Sequence, residues 1–320
     1  MGKILVIGGS GFVGTNFINI CEKSSLINFD KNQSLFHKDI TIIGNILQKK
    51  SIDKVMSDID SVLLLAAEHK DNVSPTSLYY DVNVQGTKNV LKSMDKFGVK
   101  NLIFTSSVAV YGLNKISPNE NSSVEPFNHY GKSKLMAEQL IKNWFEKNKK
   151  NKSVTVIRPT VIFGKKNRGN VYNLLKQIFL KRFVMLGSGN NKKSMAYVEN
   201  ITLFIKQRLG VLPLGYHLYN YVDKPDLTMN ELVYEIELIS GFKIPKFKIN
   251  YNLALFIGYL FDVISYFFGK NFNISSVRIK KFCSTTQFSS SKLEKIYKPK
   301  YSLAEGLKIT ILDEFVKKSK

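Results

Sequence analysis

The sequence predicts an α/β protein: a doubly wound parallel sheet followed by a smaller C-terminal part. Three observations point there. A glycine-rich turn links an apolar run to a helical stretch at the start of the chain. A second apolar run ends in an acid shortly after. Further short apolar runs then recur, separated by segments long enough for helices. At 320 residues the chain has ample material for one large or two smaller domains.

The first element lies in "KILVIGGSGFVGTNFI". Ile4–Ile7 is a continuous apolar run of the kind buried on both faces of a parallel sheet. Gly8, Gly11 and Gly14 follow at spacings of three. Glycines permit a tight turn, close approach of backbone to a pyrophosphate, and close packing of helix on strand. The helix N-terminus then offers free N–H groups and a positive dipole to the phosphates. The next run, "LINFD", ends at Asp30, where a carboxylate grips the adenosine ribose hydroxyls of a dinucleotide. That acid repels a 2′-phosphate and selects NAD over NADP, tempered by Lys31 beside it.

The later runs are "SVLLLAA" (61–67), "NLIFTSS" (101–107) and "SVTVIRPT" (153–160). Ligands of such sheets sit beyond the carboxyl ends of the strands, where Ala66, Ser107 and Pro159 fall. A tyrosine four residues before a lysine on a helix makes a candidate base, because a nearby ammonium stabilises the phenolate. With 15 Tyr and 42 Lys in 320 residues, about two such pairs arise by chance, and four occur. They are Tyr111/Lys115, Tyr130/Lys134, Tyr172/Lys176 and Tyr266/Lys270. Only Tyr130 opens a convincing helix, "YGKSKLMAEQLIKNWF", and it follows Ser107 by 23 residues. Ser107, Tyr130 and Lys134 are therefore the expected catalytic residues.

The formal charge of +22 is uneven. Residues 1–150 carry 19 Lys/Arg against 14 Asp/Glu, and residues 151–320 carry 28 against 11. The second half thus suits an anionic partner such as membrane lipid or pyrophosphate. No zinc-finger spacing or RNA-binding aromatic signature supports nucleic acid. No cluster suggests a metal, and Cys21 and Cys283 form no disulfide framework, as expected of a reducing cytoplasm. The chain starts directly on a strand pattern without a signal-peptide pattern. "EKNKKNKS" (146–153) reads as an exposed polar connection.

The basic excess flanks a greasy stretch, with Lys243, Lys246 and Lys248 before it and Lys270, Arg278, Lys280 and Lys281 after. From 253 to 268 only Gly258, Asp262 and Ser265 interrupt the apolar residues. With Gly269 these are spaced 4, 3 and 4, so a helix sets all four on one face. Such a helix belongs in a protein core or in a membrane interface, and the residues alone leave both open. Asp262 argues against spanning.

"GGSGFVG", "FTSSVAVYG" and "YGKSK" resemble the extended short-chain dehydrogenase/reductase family of nucleotide-sugar epimerases and dehydratases, over most of the chain. The resemblance implies NAD bound by Gly8, Gly11, Phe12, Val13, Asp30, Asn45, Ile46, Leu65, Ala66, Ala67, Asn83, Tyr130, Lys134 and Pro159. It implies a cofactor domain over 1–165 and a substrate domain over 166–320, interleaved around 195–215. Two departures stand out. "GNI" puts Asn45 where the family often has Asp for the adenine amine. A substrate-facing Asn of UDP-sugar epimerases falls on Val161. Lys165, Lys166 and Arg168 follow that strand end as candidates for a substrate pyrophosphate, or as an exposed basic loop.

"AAEHKDNVSPTSLYYDVNVQGT", "KSMAYVENI" and "SSVRIKKFCSTTQF" are similar to a bacterial subgroup of that family. Its members are 4-epimerases of N-acetylglucosamine linked through diphosphate to undecaprenol, used in O-antigen assembly. This resemblance implies a lipid-linked substrate, an anionic membrane surface as partner, a peripheral place on the cytoplasmic face, and an interfacial role for the greasy helix. A homodimer is left open. The rivals are a soluble UDP-sugar 4-epimerase and a 4-keto-sugar reductase, the latter opposed by Asp30. A dehydratase needs an acid after its catalytic Ser or Thr, and Val108 stands there.

Overall fold

β1 (Ile4–Ile7) lies near the middle of a seven-stranded parallel sheet. The computed structural model describes residues 2–70, 73–113, 115–245, 247–269 and 274–316. Lys246 and Lys270, two of the flanking cations, lie outside the described residues. The other first-half strands are β2 (Leu26–Asp30), β3 (Thr41–Ile43), β4 (Ser61–Leu64), β5 (Asn101–Thr105) and β6 (Ser153–Pro159). The helices between them are α1 (Phe12–Asn19), α2 (Lys49–Asp53), α3 (Ser77–Tyr80), α4 (Thr87–Phe97) and α5 (His129–Glu146).

The second half adds β7 (Val161–Phe163), α6 (Asn170–Phe179), β8 (Met185–Leu186), β9 (Lys192–Tyr197), α7 (Val198–Val211), β10 (Gly215–Tyr221) and β11 (Asp223–Thr228). Then come α8 (Met229–Ser240), β12 (Lys248–Ile249), α9 (Tyr251–Phe268), α10 (Ser276–Cys283), α11 (Ser291–Glu294) and α12 (Leu303–Ile311). The sheet order is β10-β6-β5-β4-β1-β2-β3. The order reverses between β1 and β4, and that switch point opens the cofactor crevice.

Alternation along β1 explains the double winding. Leu5 and Ile7 join a core with Val90, Met94, Ile141 and Trp144 of α4 and α5. Ile4 and Val6 join the opposite core, with Phe17 of α1 and Phe204 of α7. Both faces are buried, so the strands read as unbroken apolar runs. A third core, holding Phe163, Leu175, Met195, Leu232 and Leu307, belongs to the C-terminal part. There β11, β9 and β7 form a separate sheet, and β12 pairs with β8. The units interleave: α7 packs on α1, and β10 pairs with β6 at the edge of the large sheet.

The greasy segment is helical over its whole length as α9, ended by Gly269 in the left-handed region. It is not a core helix of this chain, because only Ala254 and Gly258 are buried in it. Its small and polar residues face inward. A Cβ on Gly258 would lie 2.9 Å from the Ser276 backbone and 2.7 Å from Ile279, so α10 packs directly on that glycine. One turn on, the Asp262 carboxylate accepts the Ser276 N–H at 3.2 Å, at the start of α10. The connection 146–153 also departs from a uniformly exposed strand of charge. Lys152 is buried, its ammonium bonded to the Trp144 carbonyl at 2.6 Å and lying over the Trp144 ring.

Candidate active site

The cofactor crevice begins at Gly8, which leaves β1 with φ +92. A Cβ there would lie 2.5 Å from the Ala66 nitrogen, so only glycine lets the loops after β1 and β4 meet. Gly14 is as tightly placed, 2.4 Å from the Gly9 Cα, which seats α1 against the turn. Gly11 caps α1, followed by Phe12 and Val13, whose N–H groups open the helix toward the crevice. Asp30 ends β2 with one carboxylate oxygen on the Ser10 N–H at 3.0 Å and the other on the Asn32 N–H at 2.9 Å. The acid is thus fixed beside the glycine loop. A backbone cradle, a helix N-terminus and a positioned acid at the switch point fit a dinucleotide.

Leu65 and Ala66 leave β4 with both N–H groups on the Ile7 carbonyl, and Ala67 continues along the crevice wall. Ile46 is buried against Gly86. The Asn45 side-chain oxygen accepts the Leu47 N–H at 2.9 Å, closing the turn after β3. Pro159 ends β6, buried. Asn83, expected at the cofactor, is also bonded to the protein on both sides. Its amide accepts the Glu68 N–H and donates to the Glu68 carbonyl and the Ser133 hydroxyl. Buried and engaged on both sides, it ties the loop after β4 to α5. Geometry makes it a positioning residue.

Ser107 ends the extension of β5 and accepts the Ala109 N–H at 3.1 Å. Asn128 caps α5 by accepting the Gly131 N–H at 2.8 Å. A Cβ on Gly131 would sit 2.6 Å from the Ala109 carbonyl oxygen, so the first turn of α5 lies against the Ser107 loop. That contact sets the start of α5, with Tyr130, against the Ser107 loop. Burial pushes the Tyr130 phenol up from its ordinary pKa, and the nearby Ser107 hydroxyl pulls it down. One turn along, Lys134 is buried with its ammonium 4.3 Å from the Phe104 ring centroid. Desolvation lowers its pKa to about 7, opposed by the charge of Glu138.

Glu138 is the residue sequence reasoning missed, although it continues the i, i+4 series from Tyr130 and Lys134. Its carboxylate holds Arg158 of β6 through two bonds, 2.9 and 2.6 Å, with both side chains buried. Arg158 also donates to the Tyr111 hydroxyl at 2.8 Å, which donates to Asn220 at 2.8 Å. Tyr111 therefore belongs to the floor of the site. Tyr172 stacks on Phe315, and Tyr266 is exposed on α9.

The candidate substrate residues divide. Val161 lies partly buried at the start of β7, opposite Met195. Lys165 pairs with Asp313 at 3.6 Å and Arg168 with Glu314 at 3.1 Å. Glu314, buried, also accepts the Lys166 N–H, and the Lys166 ammonium lies over the Phe36 ring. Asp313 and Glu314 thus pair with two of the three cations, Lys165 and Arg168, and Glu314 takes the backbone N–H of the third. Elsewhere, a cavity of about 520 Å³ is lined by Leu113, just beyond the Ser107–Tyr111 loop, and by Gly187, Asn191, Tyr251, Lys280 and Ser284. It has the size of a small-ligand site.

A serine, tyrosine and lysine at the carboxyl end of a parallel sheet, beside a dinucleotide cradle, define an enzyme that moves a hydroxyl proton in step with a hydride. The chain belongs to the NAD dependent epimerase/dehydratase family, whose model matches residues 4–206. NAD is its cofactor. It is 54% identical over 316 residues to the N-acetyl-α-D-glucosaminyl-diphospho-ditrans,octacis-undecaprenol 4-epimerase of Escherichia coli O157:H7, covering 98% of this chain and 96% of that one. It is 28% identical to a UDP-glucose 4-epimerase of Yersinia enterocolitica, over 80% of this chain and 79% of that one. In fold it is similar to the UDP-glucuronic acid 4-epimerase of Bacillus cereus, with TM-score 0.77, 20% identity and 99% of each chain covered.

Proposed function

We propose that this chain is an NAD-dependent 4-epimerase that interconverts N-acetylglucosamine and N-acetylgalactosamine carried on undecaprenyl diphosphate. The observation that carries the chemistry is the first turn of α5, which sets Tyr130 against the Ser107 loop, one turn from the buried Lys134. The near full-length likeness to the lipid-linked epimerase supports the substrate.

NAD, when bound, would supply the hydride acceptor and donor for C4 of the sugar, whose ketone turns over between the two transfers. Gly8, Gly11, Phe12, Val13 and Asp30 hold the cofactor, with Asn45, Ile46, Leu65, Ala66, Ala67 and Pro159 lining the crevice. Tyr130 removes the C4 hydroxyl proton and later gives it back. Ser107 holds that hydroxyl through its own O–H. Lys134 favours the phenolate, and Glu138 with Arg158 keeps the lysine in place. We assign the cavity beside Leu113 to the substrate: Lys280 lines it and suits the diphosphate better than the Lys165–Arg168 loop, where Asp313 and Glu314 pair with Lys165 and Arg168. The polyprenyl tail stays in lipid, so the enzyme works peripherally at an anionic membrane, on the cytoplasmic face where O-antigen precursors are made.

Tyr130→Phe keeps the ring and removes the proton acceptor. Turnover should fall by about a thousandfold or more with bound NAD retained, since positioned acid–base groups contribute about 10²–10⁴. Near-normal turnover would remove Tyr130 from the mechanism. Wild-type enzyme should epimerise lipid-linked N-acetylglucosamine far faster than the UDP-linked sugar and consume no added NADH. The opposite preference would make it a soluble nucleotide-sugar epimerase, and dependence on added reductant would make it a reductase.

A further inference from the structure

α9 carries its amphipathicity the wrong way round for a soluble protein. Its inward face is Ala254, Gly258 and Asp262, seated on α10. Opposite runs a stripe at spacings of three and four: Leu253, Phe256, Leu260, Val263, Ile264 and Phe267, each between 40% and 76% exposed. Tyr266 and Phe268 extend it at 85% and 70%. A continuous apolar ridge of that size on a soluble surface marks an interaction site.

Resting on the lipid-linked reading above, we infer that α9 lies in the plane of an anionic bilayer, its apolar stripe sunk into one leaflet, with the substrate cavity opening at headgroup level beside it. By length and composition α9 is able to cross a membrane. Its 18 residues measure about 27 Å at ~1.5 Å each, slightly less than a ~30 Å hydrocarbon core. Crossing would pull Asp262 away from the start of α10 and bury its carboxylate in hydrocarbon. Lying flat keeps Asp262 and Gly258 on α10 and buries only the outward stripe.

Charge selects the occupant. Residues 241–290 contain seven Lys/Arg and one acid, Asp262, whose carboxylate points into the protein. Lys280 donates to the Tyr259 hydroxyl of α9 at 2.9 Å and also lines the cavity. Tyr251, the first residue of α9, lines the same cavity. Helix and cavity are therefore one continuous surface, apolar along the helix and cationic at its edge. A second copy burying this face would bring two such basic rims together, whereas anionic headgroups neutralise them.

The test is flotation of the full chain with phosphatidylcholine vesicles containing phosphatidylglycerol. Wild type should float. A Phe256→Ser, Leu260→Ser, Phe267→Ser variant should lose about tenfold or more of its binding while keeping its NAD and its turnover of a short-chain, water-soluble lipid analogue. Should that variant misfold, Phe267→Trp serves instead, with the single native tryptophan, Trp144, as a buried background in the cofactor unit. Its emission should shift blue on vesicles and be quenched by lipids brominated on the acyl chain, whereas Phe97→Trp on α4 should not respond. Absence of flotation and quenching overturns the inference. A wild-type dimer that this variant dissociates, without vesicle binding, assigns the stripe to a second copy and also overturns it. Turnover of lipid-linked sugar in detergent separates this from the activity: turnover without flotation removes only the membrane surface, and flotation without turnover removes only the substrate.

Discussion

α5 and α9 are both 18 residues long, and they solve opposite problems. α5 buries eight residues, among them Lys134 and Glu138, and keeps charge inside because the site needs it there. α9 buries only two and keeps apolar surface outside. The inward polarity of α5 is held by directed bonds, Glu138 to Arg158 and Ser133 to Asn83. The outward apolarity of α9 has no protein partner among the described residues. Helix composition alone predicts neither, since burial follows what a face must touch.

Four substitutions probe that contrast. Arg158→Met removes the partner of a buried carboxylate on α5 and should cost about 3–5 kcal/mol in urea unfolding, because Glu138 is left uncompensated. A loss under one kcal/mol would mean that α5 does not depend on this pair. Gly258→Val forces a Cβ against the Ser276 backbone and should cost about 1–3 kcal/mol, loosening α9 from α10. Thermal unfolding reads it, and an unchanged midpoint would contradict the close packing.

The third concerns pH. The Lys134 pKa falls from its ordinary 10.5 to about 7 on folding, so above pH 7 the unfolded chain holds a proton that the folded one has released. Stability therefore rises with pH through that window, by at most about 1.4 kcal/mol per unit. Lys134→Met lacks this slope, and wild type should gain on it from pH 7 toward 10 in unfolding titrations without NAD. Parallel curves would show that the ammonium is not desolvated. The smallest effect belongs to α9: Leu260→Ser, 48% exposed, should change monomer stability by less than about 0.5 kcal/mol. A loss of several kcal/mol would mean that the helix is buried in solution.

Much of the cofactor crevice was readable in the chain. Gly8, Asp30, Ser107 and the Tyr130/Lys134 pair depend on local spacing and strand ends, which a linear pattern records. Glu138 escaped notice because its partner, Arg158, is distant in sequence. The bonds of Asn83 to Glu68 and Ser133 were not legible either, since only the tertiary structure brings these residues together. Asp313 and Glu314 likewise reach the basic loop from the far end of the chain. For α9, spacing put Gly258 and Asp262 on one face but could not say that this face turns inward. Lys152 joined a polar run in sequence, yet its ammonium lies over the Trp144 ring.

The interleaving of the two units has a mechanical consequence. Three of the links between them, at Thr160, at the Tyr197–Val198 junction and at Val222, are one residue long or less. Thr160 donates to the Tyr221 carbonyl at 3.1 Å, and the Tyr197 N–H to the Asp223 carboxylate at 2.6 Å. Three short threads sewn together make a seam rather than a hinge, so the units have little freedom to swing apart like jaws. A sugar that must turn over between two hydride transfers then does so in a gap of fixed width. On the proposed function, the sugar's rotation would then depend on its own tether rather than on the protein opening and closing around it.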